Sequence, residues 1–392
     1  MGHSLKLFYL DDIPTPYRTD VFEKINQKWQ GEFSIGFCAE SEPGRKFDLD
    51  LSSLNAEILP GYQWRPHGQV NPFSIKWSPG IADTLDRFAP DVVVLSGYTH
   101  PTMMRAARWC INSNVPYAVA CETSEKSTTT NGARWVARRL LSSWIVRNMA
   151  FGLPVGSEAA NYLKMFGPSD APMYDFPNTP DTKVFSDAAD EMKSDSELEA
   201  AVRAKHGLRP GSLLFTFVGR LIEAKRPLDA IRAFKRLPKT YDCSLVIVGD
   251  GPLMDEVKQE VLSDSRIIAT GWLSEKAEIA NLLAVSSVFL LPSTHEPWGA
   301  VVNEAMAGGN CVIGTEKVGA AAELIKSGKN GFVVPVADIE AISKTMLELA
   351  SNPQLIAEIG EQAQITAATK GADFASRNLI EGALKAVTGE RL

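Results

Sequence analysis

The chain has 392 residues, 45% of them apolar and 22% charged, and a formal net charge of −7 at pH 7. That length suits two or three domains with sizeable cores, and the acidic balance excludes a globally basic nucleic-acid binder. No apolar run approaches the about 18 residues of a transmembrane helix. The five scattered cysteines (Cys38, Cys110, Cys121, Cys243, Cys311) show neither metal spacing nor a disulfide framework, and read as reduced core residues of a cytoplasmic protein.

The first half alternates strand and helix signals. Leu5–Leu10 is an apolar run that stops at Asp11-Asp12, too short for a secretory signal. Tyr17–Trp29 has helical spacing, and Phe33–Cys38 is a second strand. Asp91–Ser96 and Val115–Cys121 are β-rich runs bounded by turn signals, with helical patterns at Pro101–Ser113 and Gly132–Met149. Strands that alternate with helices imply parallel pairing in a doubly wound sheet. The segment Ala133–Arg147 mixes Arg134, Arg138, Arg139 and Arg147 with Trp135 and Trp144. It reads either as a core-facing helix with a solvated basic side or as a face for peripheral contact with an anionic membrane.

The chain changes character from about Asp181 to Pro210: Asp187–Glu199 is acidic and polar, Lys205–Pro210 carries Gly and Pro, and the start of this region reads as the interdomain linker, followed by a short helix. Beyond it the alternation is clearer. Strands are predicted at Leu213–Val218, Ser244–Val248, Arg266–Ala269, Val288–Leu291, Cys311–Gly314 and Gly331–Val334, with helices between them. Three more helices follow, at Asp338–Ser351, Pro353–Thr366 and Ala372–Val387. Several strand ends carry polar or glycine-rich turns. Gly219-Arg220 and Lys225 follow the first strand of this half, Gly249-Asp-Gly251 the second, and Gly271-Trp272-Leu273 the third. Gly249-x-Gly251 lacks the third glycine of a dinucleotide fingerprint, because Met254 stands in its place.

After the fourth strand comes Glu296-Pro-Trp298-Gly299-Ala300-Val301-Val-Asn-Glu304. One carboxylate sits in the loop past a strand's carboxyl end, and the second lies inside the helix that follows. The amides between them fall at the helix N-terminus, where unpaired N–H groups and the helix dipole favour anions. With Gly314–Leu324 and Gly328–Val334, this string resembles the E-x7-E region of family 4 retaining glycosyltransferases, the group 1 glycosyltransferases of the GT-B fold. The likeness runs through Val218–Val334 and is weak before Asp181.

The resemblance implies an α/β protein with two Rossmann-like, doubly wound domains facing a central cleft. Residues 1–185 form the acceptor domain, with a final helix at about 372–392 crossing back onto it, and 186–371 form the donor domain. It also implies transfer with retention from a nucleotide sugar, a UDP-sugar being favoured, to a glycan, lipid-linked or small-molecule acceptor. The nucleotide sugar is a co-substrate; no cofactor and no metal is expected. Arg220 and Lys225 would grip the donor diphosphate, Glu296 would face the donor sugar and Glu304 the ribose. Gly219, Gly249, Gly251, Trp272, Leu273, Trp298, Gly299, Ala300 and Val301 would complete the donor site. His295 stands where it can orient Glu296, and Pro297 replaces the more usual glycine. On the acceptor side the first loop has two prolines and no glycine, which brings in Tyr17 and Arg18, with Tyr98 and His100 at another strand end. Glu122 stands where some family members carry a histidine near the reacting sugar. The competing reading from another class is a non-catalytic nucleotide-sugar-binding partner in a polysaccharide assembly.

Overall fold

The computed structural model describes residues 4–42, 49–64, 74–122 and 143–389. Contacts divide the chain into two units, Met1–Pro180 with Ala372–Leu392, and Asp181–Gly371.

The first unit is built on six parallel strands in the order β3-β2-β1-β6-β7-β8. They are β1 (Leu5–Asp11), β2 (Gly31–Phe37), β3 (Ala56–Ile58), β6 (Val92–Ser96), β7 (Tyr117–Cys121) and β8 (Phe151–Pro154). Helices cover both faces, so the central strands are apolar on both sides rather than alternating. Side-chain alternation divides them between two cores. Phe8, Leu10, Val93 and Leu95 enter one, and Leu7, Tyr9, Val92 and Val94 the other. The last helix, Ala372–Thr388, joins the second core through Ala372, Ala375, Leu379 and Ala383 and packs on helix Pro16–Lys28.

A separate hairpin, β4 (Tyr62–Trp64) against β5 (Ile75–Trp77), pairs Tyr62 with Trp77 and Gln63 with Lys76. Its two faces differ sharply. The Gln63 amide reaches Ser74 Oγ at 2.8 Å, and the Lys76 ammonium is fully buried against Asp12 and Glu42. Tyr62 and Trp64, on the other face, are 73% and 61% exposed.

The second unit repeats the plan with β11-β10-β9-β12-β13-β14, all parallel. These are β9 (Leu213–Val218), β10 (Cys243–Val248), β11 (Ile267–Gly271), β12 (Val288–Leu291), β13 (Cys311–Thr315) and β14 (Phe332–Val334). The start of the Asp181–Pro210 region, expected to be a linker, is helical instead from Lys183, as Lys183–Ser194, with Ser196–Lys205 following. Phe185, Ala188, Ala189 and Met192 recur at helical spacing and are buried, and this helix packs on helix Lys276–Ala284. Asp195 caps the next helix, its carboxylate accepting from the amides of Glu197 and Leu198.

Neighbouring strand ends in this unit approach at backbone distance. Gly249 has φ +135°, and a Cβ there would lie 1.9 Å from the Gly219 carbonyl oxygen. The glycine is therefore demanded both by its dihedral and by the crossing loop. Gly249→Ala should cost about 2–4 kcal/mol through backbone strain and overpacking. Urea unfolding of the purified variant measures this, and a loss below about 1 kcal/mol would contradict the crossing as the reason for the glycine.

Candidate active site

In the second unit the strand order reverses between β9 and β12: β10 and β11 lie to one side of β9, and β13 and β14 beyond β12. Loops leaving the carboxyl ends of these two strands diverge, and open parallel sheets bind ligands in the resulting crevice. After β9 come Gly219, the exposed Arg220 and a 3-10 turn, Glu223–Lys225. After β12 comes Thr294, whose N–H donates to the Ala224 carbonyl at 2.8 Å and ties the two loops together.

Lys225 and Glu296, 71 residues apart, meet there. Lys225 Nζ donates to Glu296 Oε2, with the two side chains 16% and 19% exposed. The Glu296 backbone is held separately: its N–H donates to the Lys317 carbonyl and its carbonyl accepts from Gly319, each at 3.0 Å. Among the described residues Arg220 makes no side-chain hydrogen bond or ion pair, whereas Arg226, in the left-handed region at φ 51°, is engaged by Asp229.

Gly299, at φ +88°, turns the chain into helix Ala300–Ala307. Most of this helix is buried; Ala300, Val301 and Glu304 form its half-buried stripe. The amides of Ala300 and Val301 open the helix, where N–H groups lack an intrahelical acceptor. The Trp298 side chain turns inward and is buried, its indole N–H donating to Asn303 Oδ1 at 3.0 Å. It can offer a ligand its backbone but not its ring. His295 is exposed, and no hydrogen bond joins it to Glu296. The other glycine turns join the same end of the sheet: Gly219 N–H donates to the Val248 carbonyl at 3.0 Å and Gly249 N–H to the Gly271 carbonyl at 2.8 Å. Gly251 lies against Leu221, whose carbonyl a Cβ would meet at 2.6 Å. Trp272 is 65% exposed beside them, while Leu273 packs partly on an apolar cluster.

The first unit has its own reversal, between β1 and β6. At these strand ends sit two polar clusters. In one, Arg18 is buried, its guanidinium 4.2 Å from the Phe176 ring centre and 3.9 Å from Glu122 Oε1. Glu122 is exposed, and its Oε1 accepts from Asn178 Nδ2 at 2.6 Å. Burial pushes the Asp11 carboxyl up to about 6 against the opposing pull of Arg18 and Ser96. Burial likewise raises the Tyr17 hydroxyl. In the other cluster, His100 Nδ1 accepts from the Lys76 backbone at 3.3 Å, leaving Nε2 to face Asp12 Oδ1 at 3.2 Å. Burial alone would raise Asp12, but His100 and Lys76 outweigh it and hold its carboxyl below the usual range.

Tyr17, Arg18, Tyr98, His100 and Glu122 are thus brought to one end of one sheet, but not in one role. Arg18, Tyr98 and His100 are interior side chains, with Tyr98 stacked on Tyr162. They support the surface that a ligand would meet; Glu122 lies on that surface. Sequence reasoning passed over Asp11, Asp12, Lys76, Glu42 and Asn178, although the paired carboxylates closing an apolar run were a visible signal. The predicted helix Gly132–Met149 and its basic–aromatic stripe lie mostly outside the described residues, of which only 143–147 are helical there. Among the described residues, no helix is long and apolar enough to cross a membrane. All five cysteines are buried.

Residues 199–366 match the family model described as Glycosyl transferases group 1. Over 166 residues the chain is 30% identical to the N-acetyl-alpha-D-glucosaminyl L-malate synthase of Bacillus anthracis, covering 42% of each protein. Over 157 residues it is 31% identical to the UDP-Gal:alpha-D-GlcNAc-diphosphoundecaprenol alpha-1,3-galactosyltransferase of Escherichia coli, covering 38% of this chain and 39% of the relative. The matches thus span less than half the length of these relatives. The fold is shared more widely. Anabaena HepE, solved in complex with UDP, aligns with a TM-score of 0.75 at 17% identity over 96% of this chain and 99% of that one. A glycosyltransferase from Rickettsia africae aligns with a TM-score of 0.76 at 15% identity, over 99% of this chain and all of that one. These likenesses bear out the two-domain Rossmann-like fold expected from the sequence.

The Asp11 carboxyl yields a pH prediction. Its folded value, about 6, lies above the ordinary 3.8, so the native state holds this proton more tightly. Stability from this group is therefore present below about pH 4 and lost as pH rises to about 6, on the order of 3 kcal/mol in all. Asp11→Asn should gain on the wild type across that window. Paired urea titrations at about pH 4 and 7 test the sign; a constant difference, or one moving the other way, contradicts the assignment.

Proposed function

We propose that this chain is a retaining glycosyltransferase that moves a sugar from a nucleotide-sugar donor, a UDP-sugar in first place, to a glycan, lipid-linked or small-molecule acceptor. The observation that carries the reading is the Lys225–Glu296 pair, which joins the loops after β9 and β12 at the strand-order reversal of the second unit, with Arg220 exposed on the first loop and helix Ala300–Ala307 opening from the second. All of these residues lie in the segment that matches group 1 glycosyl transferases. The UDP-Gal in the name of the Escherichia coli relative and the UDP bound to Anabaena HepE support the choice of base.

A departing nucleoside diphosphate gains negative charge as the glycosidic bond breaks. A cation at about 4 Å contributes roughly 4 kcal/mol at an effective dielectric near 20, before desolvation. Arg220 can fork two phosphate oxygens, Lys225 supplies a point charge, and the Ala300 and Val301 amides add donors at the helix start. Glu296 takes sugar hydroxyls and Glu304 those of the ribose, since one carboxylate accepts from two neighbouring hydroxyls. Gly271 to Leu273 lie beside the base. In front-face displacement, the bond from the anomeric carbon to the phosphate oxygen breaks as the acceptor oxygen bonds on the same side. The acceptor proton passes to the departing phosphate oxygen, so no separate base is needed. Glu122 and Tyr17 face the acceptor, with Arg18, Tyr98 and His100 as positioning residues behind them.

A thermal-shift panel of UDP-, GDP-, ADP- and dTDP-sugars tests the donor assignment, because a ligand that binds only the native state raises its apparent stability. Donor turnover is then followed as nucleoside diphosphate release with EDTA present. Arg220→Ala and Lys225→Ala should each lower it about 10²–10³-fold, as other lost electrostatic stabilisers do, with little change in folding. Near-normal release by the folded double variant, or loss on chelation restored by Mg²⁺ or Mn²⁺, would reject the clamp. For the acceptor side, candidate compounds are screened for release above background hydrolysis. Glu122→Gln should lose this stimulated component yet keep background hydrolysis and nucleotide affinity; an equal loss of both would place Glu122 elsewhere.

A further inference from the structure

We propose that the Lys225–Glu296 ion pair is an exchange contact: the donor diphosphate takes the Lys225 ammonium, and this frees Glu296 for the donor sugar. The inference rests on the donor site proposed above and adds how its two halves are coupled. Both backbones are pinned while both side chains retain reach. The Lys225 turn is tied through Ala224 to Thr294 at 2.8 Å, and Glu296 is held at both its N–H and its carbonyl by the Lys317–Gly319 turn. Lys225 ends on a flexible four-carbon stem, so its ammonium can leave one oxygen for another without moving the loop. Arg220 is exposed and, among the described residues, makes no side-chain hydrogen bond or ion pair. The resting site therefore presents one ready cation and one engaged cation.

The arrangement has a simple electrostatic logic. An uncompensated carboxylate beside a diphosphate would repel it, and Lys225 neutralises that carboxylate while the site is empty. When phosphate oxygens claim the ammonium, Glu296 Oε2 loses its donor in a place only 19% exposed. Sugar hydroxyls can then supply replacement hydrogen bonds. A nucleoside diphosphate without its sugar brings no such donors and must bind against the pair. The exchange thus favours intact donor over spent product.

The test is isothermal titration with UDP, GDP, ADP and dTDP at fixed ionic strength, using whichever binds the wild type most tightly. Glu296→Gln removes the competing charge and should bind this nucleoside diphosphate about three- to tenfold more tightly, the scale of a partly screened ion pair. Glu296→Ala should show the same sign and serves if the glutamine variant is misfolded. The gain should vanish in a Lys225→Gln background and persist in an Arg220→Gln background, which a general charge effect would not do. Unchanged or weaker affinity, or an equal gain in both backgrounds, overturns the exchange. Failure of the wild type to bind any of the four nucleotides would instead overturn the donor-site reading, and the exchange with it.

Discussion

Two adjacent parallel strands whose neighbours lie on opposite sides cannot send their following loops the same way. That constraint operates twice in this chain, between β1 and β6 and between β9 and β12. Each time the carboxyl ends of the strands are left with diverging loops, and each time polar and charged residues collect there. In the second unit the glycine turns hold the neighbouring loops in place. Because Gly249 passes within backbone distance of Gly219, the Arg220 turn is stacked directly on the β10 turn. The cations are thus carried by closely packed backbone, which is how a binding group is kept near its working geometry.

The two reversals differ in chemistry. At its reversal the second unit leaves Arg220 exposed and holds Lys225 in a mostly buried pair with Glu296. The first unit buries its charges: Lys76 between Asp12 and Glu42, and Arg18 beneath Glu122 and against Phe176. Buried ions are costly unless paired, so the first unit's arrangement contributes geometry more surely than stability. It fixes the His100 tautomer and the entry of helix Pro101–Ser113, and it anchors the hairpin to the end of the sheet. The opposite shifts of Asp11 and Asp12, adjacent in sequence, show how local this is: one faces burial with a distant cation, the other a lysine and a histidine at hydrogen-bond range.

Much of the second unit was legible because its strands are continuous apolar runs punctuated by glycine, and its helices begin close to the marked turns. The residues now gathered around β9 and β12 were legible for the same reason, since each ends a strand or opens a helix. What local reading missed depends on distance or on a sparse pattern. Lys225 and Glu296 are too far apart in sequence for their pairing to show. The inward turn of Trp298 depends on Asn303 and a filled core, and the interior positions of Arg18 and His100 depend on partners brought in by other strands. Asp187–Glu199 misled because its polar majority hid the end of an apolar stripe that begins at Phe185. The short strands β4, β5 and β8 offer few alternations and lack the continuous apolar runs that mark the equally short β12 and β14.

The two-faced hairpin has a consequence for folding fidelity. Side chains on a strand alternate, so sliding β5 by one residue against its surroundings would expose Lys76 and bring Ile75 and Trp77 against Asp12 and Glu42. That slip would leave two carboxylates without their ammonium. A short strand pair with aromatic residues on its outer face would otherwise have little to distinguish one alignment from the next. Here the buried lysine acts as an alignment pin. The correct alignment is selected by the penalty on every alternative more than by the strength of its own six-residue ladder.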